Sequence, residues 1–531
     1  MMRRIGTTAA LAVLAVLAVT PAATAAAPPP DDTGRSWEVV ASLRFPTADG
    51  EQIGVGALAF LSVDDGSLRQ TTWPDDLPTG LMFTPDARAL YSTGDNVTDD
   101  GEVSEWFSAF SARDAATGEV DWSITRISSF IEVALSPDAS IAATGSSLVN
   151  LETRAVDRFD ACVGQAPFFY ATAFSPDGGT IWYLCRGLRP SPDTELRGYD
   201  VATLAPTATF VLTNHRLDRI VLTPDGSVAV STGDRVADDG SVVPVVTRID
   251  LTTGALTDLA FEHDLGLDAA VSPDGARAYI SERSDDDFEG VLHAIDLATM
   301  TTAVSAPLAD NGVLGAVLAV TPDGARVYAA SHLDETLDEP DQIRLSAHDA
   351  DTLAVLSETF RESDVAFDLT VTPDQAPVAR LTASEPNSPV TFDASASTVE
   401  FGTIAEYAWD FGDGVSTVTT TPTVEHEYAE PGEYTATVRL TSSGGTSTED
   451  VYTGQQMLRN GDASAVATVT VAVPEPAVPE PAVPGSGVAG ELPPAGFNGA
   501  TWVIAGIGML LTGALAVVIV RRRVQPQRKD A

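Results

Sequence analysis

Two long apolar runs bracket this chain, and between them the hydrophobic positions come in short, strand-length bursts. The first run, Ala9 to Val19, follows Arg3 and Arg4 and precedes the small residues Ala23-Thr24-Ala25, where a signal peptidase can cut; residues 1–27 read as an export signal. The second, Ala500 to Val520, carries no charge and is long enough to cross a bilayer. It ends at Arg521-Arg522-Arg523, which hold the tail in the cytoplasm. Everything between the two runs is then expected outside the cell. There the bursts read as strands: Leu318-Ala319-Val320 enters the turn Thr321-Pro322-Asp323-Gly324, and Arg326-Val327-Tyr328 leads back out.

That turn recurs at Thr84-Pro85-Asp86, Ser136-Pro137-Asp138, Ser175-Pro176-Asp177-Gly178, Thr223-Pro224-Asp225-Gly226, Ser272-Pro273-Asp274-Gly275 and Thr372-Pro373-Asp374. Proline presets the bend and glycine relaxes it. Steps of 39 to 52 residues between copies suit a four-stranded propeller blade and not a shorter solenoid turn. With strands lettered A to D, A precedes the turn and B follows it. C ends in phrases such as Arg248-Ile249-Asp250-Leu251, and a small turn such as Thr252-Thr253-Gly254 opens D. The first strands of the chain, including Ala57 to Leu61, have no A before them, and Val365 to Val371 is an A with nothing after it. The two ends are expected to share one blade, which removes exposed sheet edges.

The repeated phrase resembles the YVTN type of β-propeller over residues 37–374, which implies seven blades around a central channel. That broad group includes surface-layer proteins and lactonase-like enzymes, so the resemblance speaks for fold more than for activity. After it, Ala376-Pro377-Val378-Ala379, Val390-Thr391-Phe392-Asp393-Ala394-Ser395, Tyr407-Ala408-Trp409-Asp410-Phe411-Gly412-Asp413-Gly414 and Pro431-Gly432-Glu433-Tyr434-Thr435 closely resemble a PKD domain, an immunoglobulin-like β-sandwich, over residues 376–473. The resemblance implies that Trp409 fills the core and that Gly412-Asp413-Gly414 turns tightly. The stretch Gly444 to Asp462 reads as a polar surface insertion, with a partner-binding loop as the alternative. A proline-rich stalk occupies 474–490. Residues 491–523 hold Leu492-Pro493-Pro494-Ala495-Gly496, the apolar run and the arginines, an order similar to the LPXTG sorting signal of Gram-positive cell-wall proteins. Ala495 stands where threonine is usual, which leaves both sortase processing and simple membrane anchoring open. The expected fold class is all-β: a seven-bladed β-propeller plus an immunoglobulin-like sandwich, with a C-terminal transmembrane helix.

The formal charge of −45, spread along the chain, disfavours nucleic acid and anionic lipid as partners. It leaves cationic ligands, extracellular proteins and polysaccharides. Outside the cell disulfides persist, and the only two cysteines, Cys162 and Cys185, flank one A–B strand pair that brings them to the same end of a blade; a disulfide is expected.

Strand A lines the channel in the propellers this chain resembles. The residue four places before each repeated Ser/Thr is Gly80, Glu132, Ala171, Arg219, Asp268, Val317 or Asp368. Glu132, Arg219, Asp268 and Asp368 are therefore candidate ligand-binding residues at the channel mouth, with Asp285, Asp286 and Asp287 on an acidic B–C loop at its rim. Ca²⁺ is the cofactor such carboxylates would suit, although no spacing matches an EF-hand loop. Catalytic signals are thin: none of the six histidines forms a zinc pattern, and no Gly-x-Ser-x-Gly elbow occurs. His215 and His263 precede successive A strands and are the candidates for acid–base work if they face the channel. The preferred reading is a non-enzymatic, surface-anchored recognition or adhesion protein. The alternatives are a lactonase-like hydrolase and a structural envelope protein.

Overall fold

A computed structural model of the chain describes residues 36–475, apart from 46–54, 64–65, 73–76, 97–106, 126–132, 163–169, 188–192, 284–289, 310–315, 334–341, 363–364, 387–388 and 454–457. Among the described residues the protein is all-β, and no helix is long and apolar enough to cross a membrane. The export signal, the stalk, Leu492 to Gly496 and the apolar run from Ala500 lie outside them.

Before the sandwich the strands form seven antiparallel sheets consistent with propeller blades, numbered here by the order of their A strands. Sheet 1 begins at Leu77–Phe83, sheet 2 at Ala134–Leu135, sheet 3 at Tyr170–Phe174, sheet 5 at Asp264–Val271 and sheet 6 at Ala316–Val320. In sheet 4 the first strand is broken into His215–Leu217 and Val221–Leu222. Sheet 7 joins the two ends of the chain: Val365–Val371 pairs with Glu38–Phe45, followed by Val55–Ser62 and Leu68–Thr72.

Alternating apolar side chains on these strands meet those of the next sheet, and the resulting cores close a cycle. Val40 and Phe60 of sheet 7 pack with Leu81 and Phe83 of sheet 1, and six further clusters link sheets 1 to 2 and so on to 6 and 7. Each fully buried aliphatic or aromatic side chain contributes about 1.5–3 kcal/mol, so these cores are the main cohesive term.

Six of the repeated turns share one hydrogen-bond scheme. The Ser/Thr hydroxyl donates to the Asp carboxylate at 2.5–2.7 Å. That carboxylate accepts the backbone N–H two residues on at 2.9–3.2 Å. The hydroxyl oxygen accepts the N–H that opens strand B at 2.9–3.1 Å. The fourth residue is left-handed; glycine fills it in four copies, while Ala87 (φ 55°) and Ala139 (φ 51°) hold it against their preference in two.

The sandwich packs the sheet Thr382–Ala383, Val390–Asp393 and Thr423–His426 on the sheet Ser416–Thr419, Ile404–Asp410, Gly432–Ser442 and Val466–Val473. Trp409 is buried in its core beside Phe392, Phe411 and Val438, and its Nε1 donates to Thr419 Oγ1 at 2.9 Å. Gly412 is required by space as well as by φ (+81°): a Cβ there would sit 2.5 Å from the Thr435 carbonyl oxygen.

Candidate functional site

Six of the seven sheets, and a residue just ahead of the other, line one cavity. It is lined by Leu81 and Met82 from sheet 1, Val133 just ahead of sheet 2, Ala173 from sheet 3, Arg219 and Leu222 in sheet 4, Asp268 from sheet 5, Leu318 from sheet 6 and Asp368 and Thr370 from sheet 7. Of the candidate mouth residues, Arg219, Asp268 and Asp368 are thus brought together. Glu132, Asp285, Asp286 and Asp287 lie outside the described residues.

The two aspartates have an evident local duty. A first strand has a partner on one side only, so its inner N–H groups need acceptors. Asp268 Oδ2 accepts Leu318 N at 2.7 Å and Asp368 Oδ2 accepts Leu81 N at 2.7 Å, each reaching the first strand of the next sheet in the cycle. Their other oxygens accept the N–H of the following residue, Ala269 at 2.9 Å and Leu369 at 2.8 Å. Each carboxyl therefore staples adjacent sheets at the cavity wall. Arg219 Nε stands 4.0 Å from Asp268 Oδ1. Burial raises the pKa of both acids; Asp368, which also faces the charge of Asp268 and is only partly relieved by Arg219, is pushed up to about 7. The cavity wall thus carries a guanidinium and two carboxyls, one of which exchanges its proton near neutrality. Such a wall can orient a small polar ligand through charge-assisted hydrogen bonds. Among the described residues no three His, Cys, Asp or Glu side chains gather closely enough to hold a metal ion.

The histidines singled out for acid–base chemistry are elsewhere. His215 is buried, with Nε2 3.1 Å from Asp258 Oδ2 and Nδ1 2.8 Å from the Thr213 carbonyl; the hydrogen bond to Asp258 raises its pKa. The backbone N–H of His263 donates to Glu282 Oε1 at 3.0 Å. Neither is among the residues lining the cavity. In this sheet the ring position expected at the channel, Arg219, lies in the strand break that follows His215 and does line the cavity. This break also creates a contact the sequence did not reveal: Arg186 Nη1 pairs with Asp218 Oδ1 at 2.6 Å, tying sheet 3 to sheet 4. Burial pushes the Asp218 carboxyl up. The signal that could have found it is the interruption of the A-strand pattern at Asp218 and Arg219.

Cys162 and Cys185 are joined in a disulfide with a Cα separation of 5.3 Å, between the approach to sheet 3 and its second strand.

The described residues therefore define an all-β protein of blade-like sheets followed by a β-sandwich. The sandwich is a PKD domain: the PKD family model matches residues 374–455. No curated protein matches the sequence. Among solved structures the chain is similar to Kuenenia stuttgartiensis hydrazine synthase, at 18% identity over 52% of this chain and 77% of that one, with a TM-score of 0.38. The PKD domain and the disulfide suggest an extracellular protein.

Proposed function

We propose that this is an exported, surface-anchored recognition protein, in which the seven sheets are the blades of one propeller and the cavity at their centre is the mouth of its binding face. The observation that carries the reading is the convergence of six of the sheets, and of Val133 just ahead of sheet 2, on a cavity whose wall carries Arg219, Asp268 and Asp368. Display outside the cell is supported by the PKD domain, the disulfide and the signal and anchor patterns at the chain ends. The ligand is a small polar group or a polar side chain of an extracellular protein or polysaccharide, held through Arg219 and the exchangeable proton of Asp368. The sorting-like motif Leu492 to Gly496 and the run Ala500 to Val520 make the chain a sortase substrate or a membrane-anchored protein.

The reading is tested by presenting the purified chain to arrayed extracellular proteins and polysaccharides, beside Arg219→Ala. Saturable binding that weakens by about tenfold or more in Arg219→Ala supports it, since one charge-assisted contact is worth about 1.5–3 kcal/mol. Equal binding by Arg219→Ala, or turnover of a lactone panel by the unmodified chain, contradicts it.

A further inference from the structure

The turn side of the ring of sheets is covered by part of the PKD domain. Within the stretch Gly444 to Asp462, Val451–Tyr452 and Leu458–Arg459 pair as a small antiparallel hairpin. Its base is tied to the seventh turn: Asn460 N donates to the Asp374 carbonyl at 2.9 Å, and Ala376 N to the Asn460 carbonyl at 2.8 Å. From that root side chains reach three other sheets. Arg459 Nη2 donates to the Pro322 carbonyl at 2.9 Å in the turn of sheet 6, and the Tyr452 hydroxyl to the Phe174 carbonyl at 3.5 Å, where the first strand of sheet 3 ends. Gln375 Nε2 donates to the Pro85 carbonyl at 2.9 Å in the turn of sheet 1. In a cycle of seven, sheet 3 stands across from sheet 7, so the hairpin spans the mouth instead of resting on one rim. Tyr452 and Thr453 are 7% and 2% exposed. Beside the hairpin, Phe401 of the sandwich joins Trp37 in the core shared by sheets 6 and 7. A Cβ on Gly402 would lie 2.7 Å from the Trp37 ring.

We infer that this hairpin is a plug: the PKD domain closes the turn-side mouth of the ring, the turn face is an internal surface and not a partner-binding one, and ligands reach the cavity only from the opposite face. The inference rests on the docking contacts and is independent of what the cavity binds. It corrects the expectation of an ordinary surface insertion, and it makes the PKD domain part of the same folded body instead of a free spacer.

The test is thiol labelling of Thr453→Cys in the full chain. The two native cysteines are bonded to each other, so the introduced thiol is the only free one. A docked plug makes its reaction with N-ethylmaleimide about 100-fold slower than in the urea-unfolded chain, and adding Arg459→Ala speeds it about tenfold by loosening the plug. Reaction within a few-fold of the unfolded rate overturns the inference. A second readout covers a variant that folds poorly: p-benzoylphenylalanine placed at Tyr452 is expected to photo-crosslink to the peptide containing Phe174, and crosslinks confined to the sandwich itself overturn the inference as well.

Discussion

Six of the repeated turns and the seventh use the same three residue types to opposite ends. In the six, the aspartate folds back on its own turn, as Asp225 does with Thr223 Oγ1 and Ser227 N. The seventh has no strand B after it in sequence. Thr372 nevertheless makes the expected bonds with the far end of the chain: Thr372 N donates to the Glu38 carbonyl at 2.9 Å, and Glu38 N to Thr372 Oγ1 at 3.0 Å. The closure reproduces the turn's ladder contacts without the covalent turn. Asp374, released from that duty, is fully buried and accepts Ser442 Oγ and Thr446 N of the sandwich instead. A repeat motif thus becomes a domain clamp: Asp374 Oδ2 takes donors of the sandwich where the other six aspartates take donors of their own turn.

The comparison sets an order of effects. Asp374→Ala takes the acceptor from the buried Ser442 hydroxyl and leaves Thr446 N with Ser442 Oγ alone; it is expected to lower unfolding free energy by about 2–3 kcal/mol, measured by urea denaturation, whereas Asp225→Ala at an exposed turn costs about 1 kcal/mol. Equal losses would erase the distinction. The pH dependence should differ in sign. The Thr223 hydroxyl and then the Ser227 N–H hold Asp225 below the usual carboxylate range, so its contribution is present above the unfolded pKa and is lost as pH falls through the folded one. Burial raises Asp374, against the pull of Ser442, Thr446 and Arg459. Its carboxyl is therefore most favourable below the unfolded pKa and loses stability as pH rises through the folded value. Denaturation of Asp225→Asn and Asp374→Asn between pH 3 and 8 reads both slopes against the unmodified chain. The smallest effect is a gain: Ala139→Gly relieves a left-handed alanine and should add about 0.5 kcal/mol by thermal unfolding, after the entropy that glycine returns to the unfolded chain.

The turns were legible in the sequence because their chemistry is local: hydroxyl, proline, carboxylate and glycine sit within five residues of one another. The shared seventh sheet was legible too, since an A strand without followers and three strands without a leader can only complement each other. Arg219, Asp268 and Asp368 could be placed on one wall by counting back from the turn. What could not be read was the use of the two aspartates as staples, because their partners are backbone N–H groups of another sheet. In the sequence Asp374 reads as one more turn residue, since Ser442 and Thr446 lie about 70 residues away. The stretch Gly444 to Asp462 misled for a related reason. It reads as solvent-facing, yet Arg459 and Tyr452 within it dock on the carbonyls of Pro322 and Phe174, and a surface recognised through carbonyl oxygens leaves no side-chain signature.

The most direct test of the account is a double-mutant cycle between Asp374→Ala and Ser442→Ala, read by urea denaturation. If the seventh turn clamps the two domains together, the pair couples by about 1–2 kcal/mol. Strict additivity of the two losses would mean that Asp374 does not hold the sandwich, contradicting the clamp.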